Sequence, residues 1–226
     1  MSIAGRRPLY GLDIETDTTA DGLDPAVAPV VAVALSSRAT GDVVLTGSET
    51  GILRALDSHL RKAEPGVLVT WNGGAFDLPF LASRAATAGV ALGLDMAWDP
   101  TGYRAGRRPL PGHIGTYAAC WYRHRHLDAY RAWRRLSEPE TACGLKEVAR
   151  GMGLEAVELD DPSQVHSVAV GQLRRYVASD ASLARRLAEL RWREVRTFVD
   201  RMPPGGQLAL GLTRPNVSVP GDRCQR

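Results

Sequence analysis

Asp13 and Glu15 close an apolar run in LYGLDIET. In an extended chain residues i and i+2 face one side, so both carboxylates can converge on one point. A D-x-E pair alone is a weak signal. Its placement strengthens it, because two acids where a buried strand emerges are costly unless solvated, paired or metal-bound. Asp77 ends WNGGAFD, between an apolar strand and a helical pattern. Asp is favoured at a helix N-cap, so capping is the competing reading. Tyr176 and Asp180 in YVASD lie one helical turn apart and share a face; the alternative is a half-buried Tyr beside a solvated Asp. Together the four acids can form a negative cluster that repels itself unless cations neutralise it. Carboxylate oxygens are hard ligands that suit Mg²⁺ or Mn²⁺.

The elements that must position these residues follow from periodicity. Leu9–Ile14, Val27–Ser36 and Asp42–Thr46 read as strands, the last two joined by a turn at Ala39–Gly41. Ser48–Arg61 has Ile52, Leu53, Leu56 and Leu60 at helical spacing, with Ser48 or Thr50 as N-cap. Val67–Trp71 reads as a strand, Leu78–Ala88 as a helix and Val90–Leu94 as a short strand. Residues 97–125, rich in Gly, Pro and Arg, read as an irregular insertion. Cys143–Met152 and a long Val168–Arg201 pattern, broken once, read as helices, the second with Leu173, Tyr176, Val177, Leu183, Leu187 and Leu190 inward. This order implies an α/β fold with a mixed five- to six-stranded sheet flanked by helices.

The chain has 226 residues and 24.4 kDa, which favours one domain over 1–201 and a flexible polar tail over 202–226. Hydrophobic content of 44% and charged content of 23% fit an ordinary globular protein. No apolar run is long enough for a membrane span, and the N-terminus lacks a signal-peptide core. Cys120, Cys143 and Cys224 form neither a disulfide framework nor a zinc pattern, so a reducing cytoplasm is expected. The net charge of +3 hides a lopsided distribution. Between Thr101 and Arg135 stand eight arginines and one acid, Asp128, while Lys62 and Lys146 are the only lysines. A high-GC genome explains the ratio of Arg to Lys but not the clustering. Arg presents a planar fork suited to phosphate, so the stripe suggests a polyanion partner. Arg104, Arg107 and Arg108 are its candidates for phosphate contacts; a solvated loop is the alternative.

LDIET, NGGAFD and YVASD, in this order and at these separations, resemble the three motifs of DEDD-superfamily exonucleases in their DEDDy form. HLDAY at 126–130 and GLKEVARGMGL at 144–154 resemble segments of family B polymerase proofreading domains. The resemblance covers roughly residues 8–190. It implies a ribonuclease H-like fold and a free-standing 3′→5′ exonuclease, monomeric, acting on a DNA 3′ end to release nucleoside 5′-monophosphates. It further implies that Asp13, Glu15 and Asp180 hold one metal ion and Asp13 with Asp77 a second, about 3.5–4 Å apart. Tyr176 is then expected to orient the attacking water. Thr16, Asn72 and Phe76 match positions that contact the terminal nucleotides, although Asn72 in a turn and Phe76 in the core are the structural alternatives. Asp128 matches an acid of those domains with a structural role. An RNase D-like exoribonuclease and an inactive nucleic-acid-binding adaptor are the other readings. Retention of all four acids and the tyrosine weighs against the adaptor.

Gln207, Leu208, Leu210 and Leu212 stand in QLALGL between Gly/Pro patches. An extended apolar peptide of this kind can fill a groove with alternate side chains. It resembles the bacterial sliding-clamp-binding motif, which implies the clamp as partner and a nucleoid-associated location; a short strand packed back on the domain is the alternative.

Overall fold

The structure is a computed structural model that describes residues 7–102, 109–138 and 141–201. Arg104, Arg107 and Arg108, and the tail with Gln207, Leu208, Leu210 and Leu212, lie outside the described residues. The strands are β1 (Leu9–Thr16), β2 (Val30–Ser37), β3 (Gly41–Thr46), β4 (Val67–Thr70), β5 (Leu94–Trp98), β6 (Tyr117–Trp121) and β7 (His124–Asp128). They form one sheet in the order β3-β2-β1-β4-β7-β6-β5. β4 runs parallel to both β1 and β7, and the other pairs are antiparallel. The helices are α1 (Glu49–Lys62), α2 (Asp77–Thr87), α3 (Ala129–Leu136), α4 (Leu145–Gly151), α5 (Val170–Leu190) and the short α6 (Trp192–Val195). Ser48 caps α1, its hydroxyl accepting from the Gly51 N–H. No helix among the described residues is long and apolar enough to cross a membrane.

Strand alternation divides the core between the two faces. Leu12, Ile14, Val33, Leu35 and Leu68 join Ile52, Leu53, Leu56 and Leu60 of α1 and Leu78, Phe80 and Leu81 of α2. The interleaved Ala32 and Ala34 pack with Leu173, Tyr176, Val177 and Ala181 of α5. Leu9, Val67 and Val69 pack with Ala184 and Ala188 of the same helix. Asp13 and Glu15 share the parity of Leu9 and Gly11, so they face α5 rather than the larger core. The small residues on that face let α5 come close. A Cβ built on Gly11 would lie 1.9 Å from the carbonyl oxygen of Ala181, next to Asp180.

The sheet has seven strands, not five or six. The strand expected over Val90–Leu94 instead starts at Leu94, and the segment 97–125 expected to be irregular holds β6 and the start of β7. Their polar content disguised them. His124 and His126 are buried, His124 bonding the Gly66 N–H and the Leu60 carbonyl while His126 bonds Thr70 and Asp200. The connecting turn has no glycine; Tyr122 itself adopts φ of 52°. Its hydroxyl donates to Asp57, which also accepts from the Trp121 indole. The long C-terminal pattern stops at Leu190, which is exposed rather than inward. Beyond it, residues 191–200 turn back toward β7, where the Asp200 N–H donates to the His126 carbonyl at 2.8 Å. α3 follows from Asp128, whose carboxylate caps it by accepting from the Arg131 N–H.

Gly11→Ala should destabilise the protein by about 1–3 kcal/mol, because the added methyl meets backbone rather than a flexible side chain. The readout is a lower urea midpoint at unchanged slope. An unchanged midpoint would show that α5 does not need this approach.

Candidate active site

The site is built where β1 runs past its parallel partner. β1 pairs with β4 only over Leu9–Gly11, so the next residues on that edge lack a β4 neighbour. The Asp77 carboxylate, in the first turn of α2, takes up one freed group by accepting from the Ile14 N–H, and it also accepts from its own. Asp77 is not the N-cap of α2; Phe76 holds that position without a side-chain cap bond. On the other side of β1, Glu15 and Thr16 meet a shift in register against β2.

Asp13, Glu15, Asp77 and Asp180 come together electrostatically. Burial first, then Asp180, Asp77 and Glu15, hold the Asp13 carboxyl well above the usual range. Burial, followed by Asp180, pushes Glu15 up to about 8. Asp77 is pushed up to about 7 and Asp180 to about 6, in each case chiefly by burial. Asp77 and Asp180 are buried; Asp13 and Glu15 are half-buried.

One residue that the sequence reading did not single out sits at the centre. The Lys146 ammonium, on α4, lies 3.3 Å from Asp180 Oδ2 and 3.7 Å from the centre of the Tyr176 ring. It draws the carboxyls of Asp13, Glu15 and Asp180 toward ionisation. Its signal was present in composition: it is one of two lysines in a chain that otherwise uses arginine. A lysine offers a compact point charge where a planar guanidinium would need a wider seat. Tyr176 is buried, and burial followed by Asp180, Glu15 and Asp13 raises its phenol far above the ordinary value. The phenol therefore stays a hydrogen-bond donor near neutral pH.

The donor set fits divalent cations. Asp180 Oδ1 is buried and has no hydrogen-bond partner, and three further carboxylates share its field. An orphaned carboxylate oxygen is destabilising unless something positive reaches it. Among the described residues, no three His, Cys, Asp or Glu side chains are drawn tightly round a single ion position. Lys146 pairs with the other oxygen of Asp180.

The remaining residues are placed as follows. The Asn72 backbone takes the left-handed region, φ 71°, and its N–H donates to Asp128 Oδ1 at 3.0 Å. Phe76 is half-buried and packs on Phe80 with ring centres 5.3 Å apart. Thr16 is buried and donates to the Gly22 carbonyl. A cavity of about 470 Å³ lined by Trp71, Asn72, Tyr130, Arg134, Gly144 and Leu145 opens beside Asn72 and the α4 start. Within the arginine stripe, Arg131 pairs with Asp99 and Arg135 donates to the Thr101 carbonyl, while Arg123 and Arg125 are exposed.

Residues 11–148 match the family described as DNA polymerase family B, exonuclease domain. That is more than half of the chain, which therefore belongs to this family. It is 35% identical to the catalytic subunit of DNA polymerase epsilon from Schizosaccharomyces pombe over 114 residues, 50% of this chain and 5% of that one. Against a DNA polymerase of Pyrococcus glycovorans it is 28% identical over 139 residues, 56% of this chain and 17% of that one. The chain thus spans only a small part of the length of these relatives. The structure of the family B DNA polymerase from Pyrobaculum calidifontis superposes with a TM-score of 0.67 at 20% identity, covering 84% of this chain and 25% of that one. That likeness is one of fold.

A carboxyl raised in the folded state favours its protonated form, so its contribution to stability is present at low pH and lost as pH rises through the folded value. With Asp77, Asp180 and Glu15 raised to about 7, 6 and 8, the loss falls between the ordinary carboxyl range near pH 4 and about pH 8. In chelator, Asp13→Asn should melt above the parent protein, with a gap that widens toward pH 8 by roughly 2–4 °C per kcal/mol of repulsion relieved. A gap independent of pH would contradict the clustering.

Proposed function

We propose that this chain is a divalent-metal-dependent 3′→5′ exonuclease of the DEDDy type, acting on DNA to release nucleoside 5′-monophosphates. The observation that carries this reading is that four largely buried carboxylates lie within one another's electrostatic reach, with Asp180 Oδ1 buried and unpartnered. Membership of the polymerase exonuclease family supports the reaction class and DNA as substrate, and the element order agrees with a ribonuclease H-like fold.

In this reading Asp13, Glu15 and Asp180 hold one ion, and Asp13 with Asp77 a second. Bound there, Mg²⁺ or Mn²⁺ supplies polarisation of the scissile phosphate and a water acidified toward hydroxide. The chain's own groups do the positioning. Tyr176, kept protonated, directs its O–H at the attacking oxygen. Asn72 and Phe76 border the place of the terminal nucleotide, and Thr16 meets it through its backbone. The Lys146 ammonium adds positive charge beside Asp180, where an anionic strand must approach. Exposed Arg123 and Arg125, together with Arg104, Arg107 and Arg108, supply long-range attraction for the phosphate backbone.

The tail motif supports action in trans to a polymerase. An extended peptide at Gln207, Leu208, Leu210 and Leu212 that docks on a bacterial sliding clamp would raise the local concentration of the nuclease at a primer terminus. It also favours DNA over RNA, which the acids alone do not decide.

Degradation of 5′-labelled single-stranded DNA, mismatched primer–template and RNA in Mg²⁺ or Mn²⁺ tests the proposal. The expected result is a 3′→5′ ladder on DNA, absent in Asp13→Ala and slowed on the order of 10²-fold in Tyr176→Phe. A ladder on RNA alone would favour the RNase D-like reading. Equal inertness of the parent and Asp13→Ala proteins would leave the adaptor reading. For the tail, co-elution with a bacterial clamp should vanish on changing Gln207 and Leu212 to Ala; binding that survives rejects the motif.

A further inference from the structure

Asp200, which lies outside the family match, takes part in a buried polar chain that ends on the loop carrying Asn72 and Asp77. Its Oδ2 lies 2.7 Å from His126 Nδ1 and accepts from the Ala119 N–H at 2.9 Å. His126 Nε2 lies 2.8 Å from Thr70 Oγ1, which accepts from the Gly73 N–H at 3.1 Å. Thr70 and His126 are fully buried and Asp200 nearly so.

The inventory of donors fixes the carboxylate end of this chain. The Asp200 carboxylate only accepts, so His126 Nδ1 carries a proton. Thr70 Oγ1 receives the Gly73 N–H and shares a second hydrogen bond with His126 Nε2. A carboxylate–imidazole–hydroxyl chain can activate a nucleophile in other settings, but this hydroxyl is sealed from solvent. Its reach is into the backbone: Gly73 fits against Thr70 only without a side chain, since a Cβ there would lie 2.3 Å from Thr70 Oγ1.

Gly73 is the pivot of the loop. Its carbonyl accepts from the Leu78 N–H in the first turn of α2, the turn that presents Asp77. From the other side Asp128 accepts from the N–H groups of Asn72 and Gly74. The loop is thus gripped at three consecutive N–H groups, and the central grip is tied through His126 to the C-terminal segment. We infer that Asp200 is a positioning residue for the candidate active site, acting through His126 and Thr70 to fix the Gly73 pivot and with it Asn72 and Asp77. This rests on the exonuclease reading for its catalytic consequence, not for the relay itself.

The test combines Asp200→Ala, Thr70→Val and Thr70→Ser in the full chain. Amide hydrogen exchange at residues 72–77 reads the loop, and Mn²⁺ affinity by electron paramagnetic resonance reads the acids; neither requires cleavage. Both Asp200→Ala and Thr70→Val should speed exchange over 72–77 while β2 keeps its protection. Mn²⁺ affinity should fall about 10–100-fold, the usual cost of losing a group that orients a ligand. Thr70→Ser, which keeps the hydroxyl, should restore both. If Asp200→Ala proves too unstable to purify, the Thr70 pair decides alone, from the opposite end of the chain. Unchanged loop exchange in Thr70→Val overturns the relay, whether or not the parent protein cuts DNA. A parent protein that neither binds Mn²⁺ nor cuts DNA overturns the exonuclease reading instead, with loop exchange still deciding the relay.

Discussion

Gathering four carboxylates into one half-buried cleft opposes folding at neutral pH, and much of the architecture can be understood as enforcing it. Burial and mutual repulsion both push the acids toward protonation. They are nonetheless held, because each is fixed by an element with its own reason to be where it is. β1 is clamped between β2 and β4, and the parity that buries Leu12 and Ile14 in the larger core leaves Asp13 and Glu15 on the opposite face. α5 is pressed onto that face across Gly11, Ala32 and Ala34, which delivers Asp180. Each fully buried leucine of α1 and α2 contributes roughly 1.5–3 kcal/mol toward holding these elements in place. Lys146 relieves part of that strain from a third element.

The parts legible in the sequence were those where one pattern dominates. The first three strands, α1, α2 and α5 carry clean apolar periodicity, and the acids sit at their ends in recognisable phrases. The edge of the sheet was not legible for the opposite reason. β6 and β7 carry Tyr, Cys, Arg and two His in ten residues, and their turn lacks Gly or Asn. Those histidines are core residues because specific partners far along the chain satisfy them, Leu60 and Gly66 for His124 and Thr70 and Asp200 for His126. No local window contains that information. Lys146 stood out in composition, but its role did not: only the approach of α4 to α5 brings it to Asp180 and Tyr176.

The end of α5 shows a related limit. The helical pattern continues past Leu190, but Arg191 leaves helical geometry and the chain doubles back so that Asp200 can reach β6 and β7. The buried carboxylate there does not join the acid cluster; it serves a histidine and a backbone amide. Two kinds of acid thus coexist within one sheet. One kind is satisfied internally, as Asp57, Asp128 and Asp200 are, and the other is a mutually repelling set that includes the unpartnered Asp180 Oδ1. The distinction between them, rather than the number of acids, marks the site.

The central proposal is that the clustered acids are a divalent-cation site whose members are partly protonated at neutral pH. Calorimetric titration with Mn²⁺ near pH 7, repeated in buffers of different ionisation enthalpy, counts the protons exchanged on binding. The account expects saturable binding with net proton release, shrinking as pH is raised beyond about 8, where Glu15 is already ionised, and lost in Asp13→Asn with Asp180→Asn. Mn²⁺ that fails to bind, or that binds with no proton release near pH 7, would contradict it.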